Sequence, residues 1–169
     1  WSWLLRRQVA QRTRQLLREL SERQQVEVAL RESEARFRDV TEAASDWIWE
    51  MNEHLRFTYL SERFYALTGI APDHVLGRAR WEIGVANSAF ELEQWRQHQE
   101  LLEQHLPFRD FVYQTRLNGN HNAGRHLKVS GKPIYDVQGR FLGYRGTGTD
   151  ITDQIRAETA LQESELRLR

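Results

Sequence analysis

Residues Asp136 to Thr152 read D-V-Q-G-R-F-L-G-Y-R-G-T-G-T-D-I-T, and this stretch decides the fold. Asp136-Val137-Gln138-Gly139 has the composition of a tight turn, and Arg140 to about Thr149 reads as the strand that follows it. Gly143, Gly146 and Gly148 lie on that strand, not ahead of a phosphate-binding helix, so they form no phosphate loop. Asp150 and Thr152 suit the place where a strand becomes a helix, and Asp153 puts negative charge in the first turn. The sheet and the outgoing helix are therefore expected to be rigidly joined, so that a change in the sheet tilts the helix. On the plainer reading the same residues only start a helix, and both readings can hold.

Working outward, two more strands precede the turn. Phe108 to Leu117 and Arg125 to Tyr135 are apolar and β-branched runs with Asn118-Gly119-Asn120 as their turn. Trp47 to Met51 and Leu55 to Leu60 form a hairpin across Asn52-Glu53-His54. Ser61 to Leu67 reads as a short helix with Ser61 as N-cap and Gly69 as its end. Pro72-Asp73-His74 opens a further turn of helix before Gly77, and residues 88–105 form a polar helix closed by Pro107. The order β-β-α-α-α-β-β-β predicts an α+β domain, a five-stranded antiparallel sheet with helices on one face.

Arms flank this domain. The first 38 residues hold nine Arg and five Glu, and no aromatic residue stands between Trp3 and Phe37. Lacking Gly and Pro, residues 3–40 have helical composition. Val9, Leu16, Leu30 and Phe37 recur at multiples of seven, with Leu20 four after Leu16, but Arg23 and Glu27 break the seam. So thin an apolar face needs a partner, most simply the same helix of a second copy. Residues 27–38 (EVALRESEARFR) and 158–169 (ETALQESELRLR) share E-x-A-L-x-E-S-E-x-R-x-R, 131 positions apart, which marks a repeated module in a tandem array. The expected division is a signalling helix over 1–38, a globular domain over 39–152 and an outgoing helix over 153–169. Trp1-Ser2-Trp3-Leu4-Leu5 running into Arg6, Arg7, Arg12, Arg14 and Arg18 predicts a membrane span immediately upstream of residue 1, with this chain on the cytoplasmic side of a bacterial inner membrane.

The order of elements, together with Ala44-Ser45-Asp46-Trp47-Ile48-Trp49-Glu50, Phe57-Thr58-Tyr59-Leu60-Ser61, Leu67-Thr68-Gly69, Leu76-Gly77-Arg78 and the closing Asp136 to Thr152, resembles the PAS fold over about residues 34–156. The likeness is to PAS modules of sensor kinases and of proteins that make or degrade cyclic di-GMP. It implies a regulatory domain, not an enzyme, inside a larger signalling enzyme such as a histidine kinase, diguanylate cyclase or phosphodiesterase.

Composition supports the same class. Net charge is zero, so no global field favours nucleic acid. With no Cys there is no disulfide, thiolate metal site or cysteine nucleophile. Ser61 and Ser130 lack the context of an activated nucleophile, and His121 and His126 read as solvated. A sheet bearing Trp47, Trp49, Tyr59, Phe111, Tyr113, Leu127 and Val129, under helices bearing Phe64, Leu67 and Trp81, encloses either a pocket or a filled core.

The resemblance also implies cofactors. Haem-binding PAS domains of oxygen sensors carry their proximal His on the long helix before the third strand, at the place of His98, with His105 as second choice. The alternative is a solvated His on a polar helix. Flavin (FAD) is the competitor, with Trp81 as ring contact, and the third possibility is no cofactor. Cys-based flavin photochemistry has no Cys to use. Gly148 stands where blue-light flavin domains carry a Gln, and Pro107-Phe108-Arg109-Asp110 replaces the P-W-x-G of flavin redox sensors.

The expectation is a non-catalytic sensory and dimerising module. It detects a ligand or cofactor state, haem-based gas or redox sensing being the leading specific form, and passes it through the helix after Asp150 to an adjacent PAS or output domain. The alternative is a structural relay with a filled core, carrying a signal from a periplasmic sensor upstream.

Overall fold

The structure, a computed structural model, describes residues 1–115 and 124–169. The anticipated turn Asn118-Gly119-Asn120, His121 and the end of the strand drawn to Leu117 lie outside the described residues. The chain divides into two units, Trp1–Val40 and Thr41–Arg169. The first lies within one helix, α1 (Ser2–Ala44), with no buried residue in this chain by itself. Leu16, Leu20 and Leu30 are each more than half exposed. No helix among the described residues is long and apolar enough to cross a membrane.

The second unit is built on an antiparallel sheet. Its strands are β1 (Trp47–Asn52), β2 (Phe57–Leu60), β3 (Gly84–Val85), β4 (Phe108–Thr115), β5 (His126–Tyr135) and β6 (Phe141–Asp150), in the spatial order β2-β1-β6-β5-β4-β3. The sheet thus has six strands where five were expected. The extra one is a two-residue edge paired with Thr115 and Gln114, too short for alternation to reveal. Helices α2 (Glu62–Thr68), α3 (Arg80–Ile83) and α4 (Ala89–Glu103), with a 3-10 turn at Pro72–His74, connect β2 to β3 and β3 to β4, and α5 (Thr152–Arg167) leaves after β6.

Local chemistry explains the boundaries. Asn52 Oδ1 accepts the N–H groups of His54 and Arg56 (3.0 and 3.1 Å), closing the β1–β2 hairpin; β2 therefore starts at Phe57, not Leu55. Ser61 precedes α2 as expected, but its hydroxyl does not cap the helix. It accepts the Ile48 N–H instead (3.1 Å), tying α2 to β1. Gly69 closes α2 in the left-handed conformation, φ 69°. Ser88 caps α4 by accepting the Glu91 N–H (3.1 Å). At the other end of α4, Tyr144 of β6 donates its hydroxyl to the Leu106 carbonyl (2.9 Å).

The glycines of the deciding stretch shape the core. Trp47 and Trp49 lie on the inner face of β1, opposite Gly148 and Gly146 of β6. A Cβ at Gly148 would stand 2.2 Å from Trp47 Cε2, and one at Gly146 would stand 2.4 Å from Trp49 Cζ2. Gly131 of β5 clears the far edge of the Trp49 ring, 2.6 Å from its own missing Cβ. Three bare positions therefore make a floor on which two indoles lie against the sheet. Each buries about 150–250 Å², contributing at most about 4–6 kcal/mol at about 25 cal/mol per Å². Phe57, Phe64, Leu127, Val129 and Tyr144 complete a core around them.

Candidate functional site

The residues anticipated as a single pocket are split. Trp47 and Phe64 meet edge to face at one end of the core, ring centroids 5.4 Å apart. Leu127 and Val129 are buried on β5. Tyr59 is 45% exposed and lines no interior, because the β2 pattern buries Phe57 and Leu60 and turns the two residues between them outward. Trp81 is partly buried against the core. Trp95, His98, Phe111 and Tyr113, by contrast, gather on a groove of about 560 Å³ between α4 and β4.

His98 is buried rather than solvated. Its ring stacks on Phe111 with centroids 3.8 Å apart and planes 2° from parallel, and meets Phe108 edge to face at 4.6 Å. Burial, with a smaller contribution from the positive charge of Arg80, pushes its pKa down to about 3, so the imidazole is neutral. Its Nε2 is enclosed and makes no hydrogen bond among the described residues. Haem iron needs an imidazole nitrogen facing an open slot. Here the nitrogen is covered and one ring face is taken by Phe111, so the residues do not fit a macrocycle. His105 is not on the His98 face of the helix: α4 ends at Glu103, and His105 sits beyond it at φ 56°, stacked on Phe141 of β6 (3.6 Å). At Gly148, the position compared with the flavin-bonding Gln, the inner surface is filled by the Trp47 indole. A flavin there would have to displace it. No group of three His, Asp or Glu side chains among the described residues could hold a metal ion.

A residue that sequence reasoning passed over lies deeper. Arg80, on the single turn α3, is 1% exposed. Its guanidinium stands over Trp49 (4.3 Å), Phe57 (5.1 Å) and Tyr113 (5.6 Å). Among the described residues its one polar partner is the Tyr113 hydroxyl, 3.4 Å from Nη1, and Nε and Nη2 are buried and unpaired. No carboxylate pairs with it among the described residues. Burial lowers the Arg80 pKa and raises that of Tyr113, the larger cause in each case, but an arginine stays charged. Removing such a cation from water costs several kcal/mol, while a desolvated cation–π contact returns about 2 and each orphaned donor loses about 1–3. The charge is under-compensated. Thr115 Oγ1, on the same inner face of β4 as Tyr113, is likewise buried without a partner among the described residues.

The third feature is the junction at the end of the sheet. Asp150 accepts the backbone and hydroxyl hydrogens of Thr152 through Oδ1 and pairs with Arg125 through Oδ2 (2.8 Å). The Thr152 hydroxyl in turn accepts the His126 N–H (3.0 Å). Asp46, just before β1, accepts the Asp150 N–H (2.8 Å) and faces Arg63 of α2 (3.4 Å). The first turn of α5 is thereby bonded to β5 and β6, and Asp46 ties that end of β6 to the start of β1. Asp150 serves the first amide of α5, and Thr152 is the first helical residue, so the two act as one unit and not as separate caps.

A family model described as the PAS fold matches residues 41–156. The chain belongs to the PAS family. A sensory box histidine kinase/response regulator from Burkholderia thailandensis superposes on this PAS chain with a TM-score of 0.56 and 25% identity, covering 79% of this chain and 98% of that one. The blue-light photoreceptor Aureochrome1 LOV, in its light state, gives 0.56 at 14% identity, with 73% and 94% covered. A light-oxygen-voltage domain described with a flavin analogue gives 0.56 at 18%, with 75% and 93% covered. At those identities the last two show a shared fold. No curated protein sequence matches the chain. PAS domains are generally regulatory and not catalytic.

Proposed function

We propose that this PAS domain is a non-catalytic signalling module in which a change in the core alters β6 and is handed to α5 through Asp150. The observation that carries the reading is the junction itself: one carboxylate joins the first turn of α5 to Arg125, just ahead of β5, while its own backbone is held by Asp46, just ahead of β1. A sheet that shifts must then move the helix or break charge-assisted bonds worth about 1.5–3 kcal/mol each. The module acts as a homodimer through its flanking helices, on the cytoplasmic side of a membrane and ahead of an output domain such as a kinase or cyclic di-GMP enzyme. The kinase among its structural neighbours favours the first of these. Haem and flavin have no support in the geometry at His98 and Gly148, and the module reads best as free of both.

Hydrogen exchange tests the junction. In Asp150→Asn the amides of Thr152 to Ile155 should lose protection by about tenfold, which is 1.4 kcal/mol, while β1 and β5 keep theirs. Unchanged protection of that turn would remove the basis for the reading.

The filled core gives a second reading some weight. With Trp47 and Trp49 occupying the inner face of the sheet, the domain can serve as a relay for motion arriving through α1. The same junction would carry that motion.

A further inference from the structure

We propose that Arg80 anchors a buried site for a small organic carboxylate, reached from the groove between α4 and β4. The site would supply the sensed event of the signalling reading above, and its regulatory meaning rests on that reading.

The two unpaired guanidinium nitrogens are Nε and Nη2. These are the side-on pair, whose N–H bonds run parallel and match the two oxygens of one carboxylate. Nη1, on the other side, is already directed at the Tyr113 hydroxyl. The described residues offer Arg80 a cation–π cage but no anion. An anion is what the electrostatics require, because rings stabilise the charge without neutralising it. Among the described residues Thr115 Oγ1 and His98 Nε2 are buried and unpaired as well, so the neighbourhood holds more hydrogen-bonding capacity than those residues use.

Access and tail chemistry would come from the groove, whose lining includes Tyr113 and His98 but not Arg80 itself, so the Tyr113 ring stands between the groove and the guanidinium. Tyr113 belongs to both places: it lines the groove, and its hydroxyl takes the Arg80 hydrogen. His98 also lines the groove and feels the Arg80 charge. Trp95, Leu101 and Phe111 give the groove an apolar wall suited to a short hydrocarbon or aromatic tail. The groove rim carries Glu91, Arg109 and Asp110, a mixed set that selects no charge. A monoacid with a small apolar body therefore fits better than a phosphate, whose second negative charge would meet no second buried cation among the described residues.

Acetate, butyrate and phenylacetate are the probes, with phenylacetamide as the uncharged control. The readout is the ¹⁵N resonance of Arg80 Nε–H in the whole chain, assigned through bonds, together with the melting temperature. At least one acid should move that resonance and raise the melting temperature saturably. Phenylacetamide should do neither, and Arg80→Gln should abolish the response. If all three acids leave the resonance in place at tens of millimolar, or acid and amide act alike, the site is wrong. The wild-type resonance reads the site even where Arg80→Gln does not fold. Exchange of α5 amides with and without the bound acid separates the two ideas: binding without an α5 response leaves the site and sinks its sensory role, whereas absence of binding leaves the junction untouched.

Discussion

A methyl group at Gly148 would lie 2.2 Å from Trp47 Cε2, and one at Gly146 would lie 2.0 Å from the Ser130 carbonyl oxygen. Neither neighbour is a flexible chain end, so Gly148→Ala and Gly146→Ala should each destabilise the domain by about 1–3 kcal/mol in urea unfolding. A loss below a few tenths would mean the indoles can shift freely. His98 provides a pH test. Its folded pKa, about 3, lies below the 6.5 of a free imidazole, so between those values the unfolded chain binds the proton and the folded one does not. Stability therefore rises with pH through that window, and falls by up to about 2 kcal/mol from His98 alone between pH 6.5 and pH 5. His98→Phe should remove this loss, and parallel pH curves for the two proteins would show that His98 is not buried neutral. At this scale the sequence was an uneven guide. Trp47, Phe64, Leu127 and Val129 are inward as their strand and helix patterns imply, whereas Arg80, two positions after Arg78, carries no sign of burial in the sequence. Only the interior of the fold reveals its burial. The spacing of Gly146 and Gly148 on one strand face was a usable signal, since alternate glycines opposite Trp47 and Trp49 make room for large rings.

Among the elements, segments bracketed by cap, Gly or Pro residues were legible, even the short α2 and the turn at Pro72–His74, and the unbracketed α3 and β3 were not. Helix α4 was anticipated within two residues at each end, because Ser88 and Pro107 bracket a polar helical run. The single turn α3 and the two-residue β3 carry no periodicity to read, yet α3 carries Arg80 into the core and β3 closes one sheet edge. His105 was misplaced for a related reason: composition does not show that α4 stops at Glu103 and turns through a left-handed residue. At α1 the exposed Val9, Leu16, Leu20 and Leu30 lead to a test of assembly. Leu16→Glu with Leu30→Glu should shift sedimentation of the whole chain from dimer towards monomer, leaving its melting profile above the α1 contribution unchanged. A wild-type chain that sediments as monomer at high concentration would remove α1 as a dimer contact.

Across the whole molecule, one indole links a buried cation to the strand that leads into the outgoing helix. Trp49 lies under Arg80 and donates its Nε1–H to the Thr147 carbonyl of β6 (3.0 Å), three residues before Asp150. Adjacency of this kind does not establish coupling; a thermodynamic cycle does. A visible spectrum of the purified chain, before and after haemin, should show neither a Soret band dependent on His98 nor a flavin doublet, and either band would replace the cofactor-free reading. The most direct test of the central claim is amide exchange of α5 in four proteins: wild type, Trp49→Phe, Asp150→Asn and the double variant. The account expects Trp49→Phe to change protection of Thr152 to Ile155 when Asp150 is present and to have no further effect when it is absent. Equal effects of Trp49→Phe in both backgrounds would show that core and helix are independent, and would contradict it.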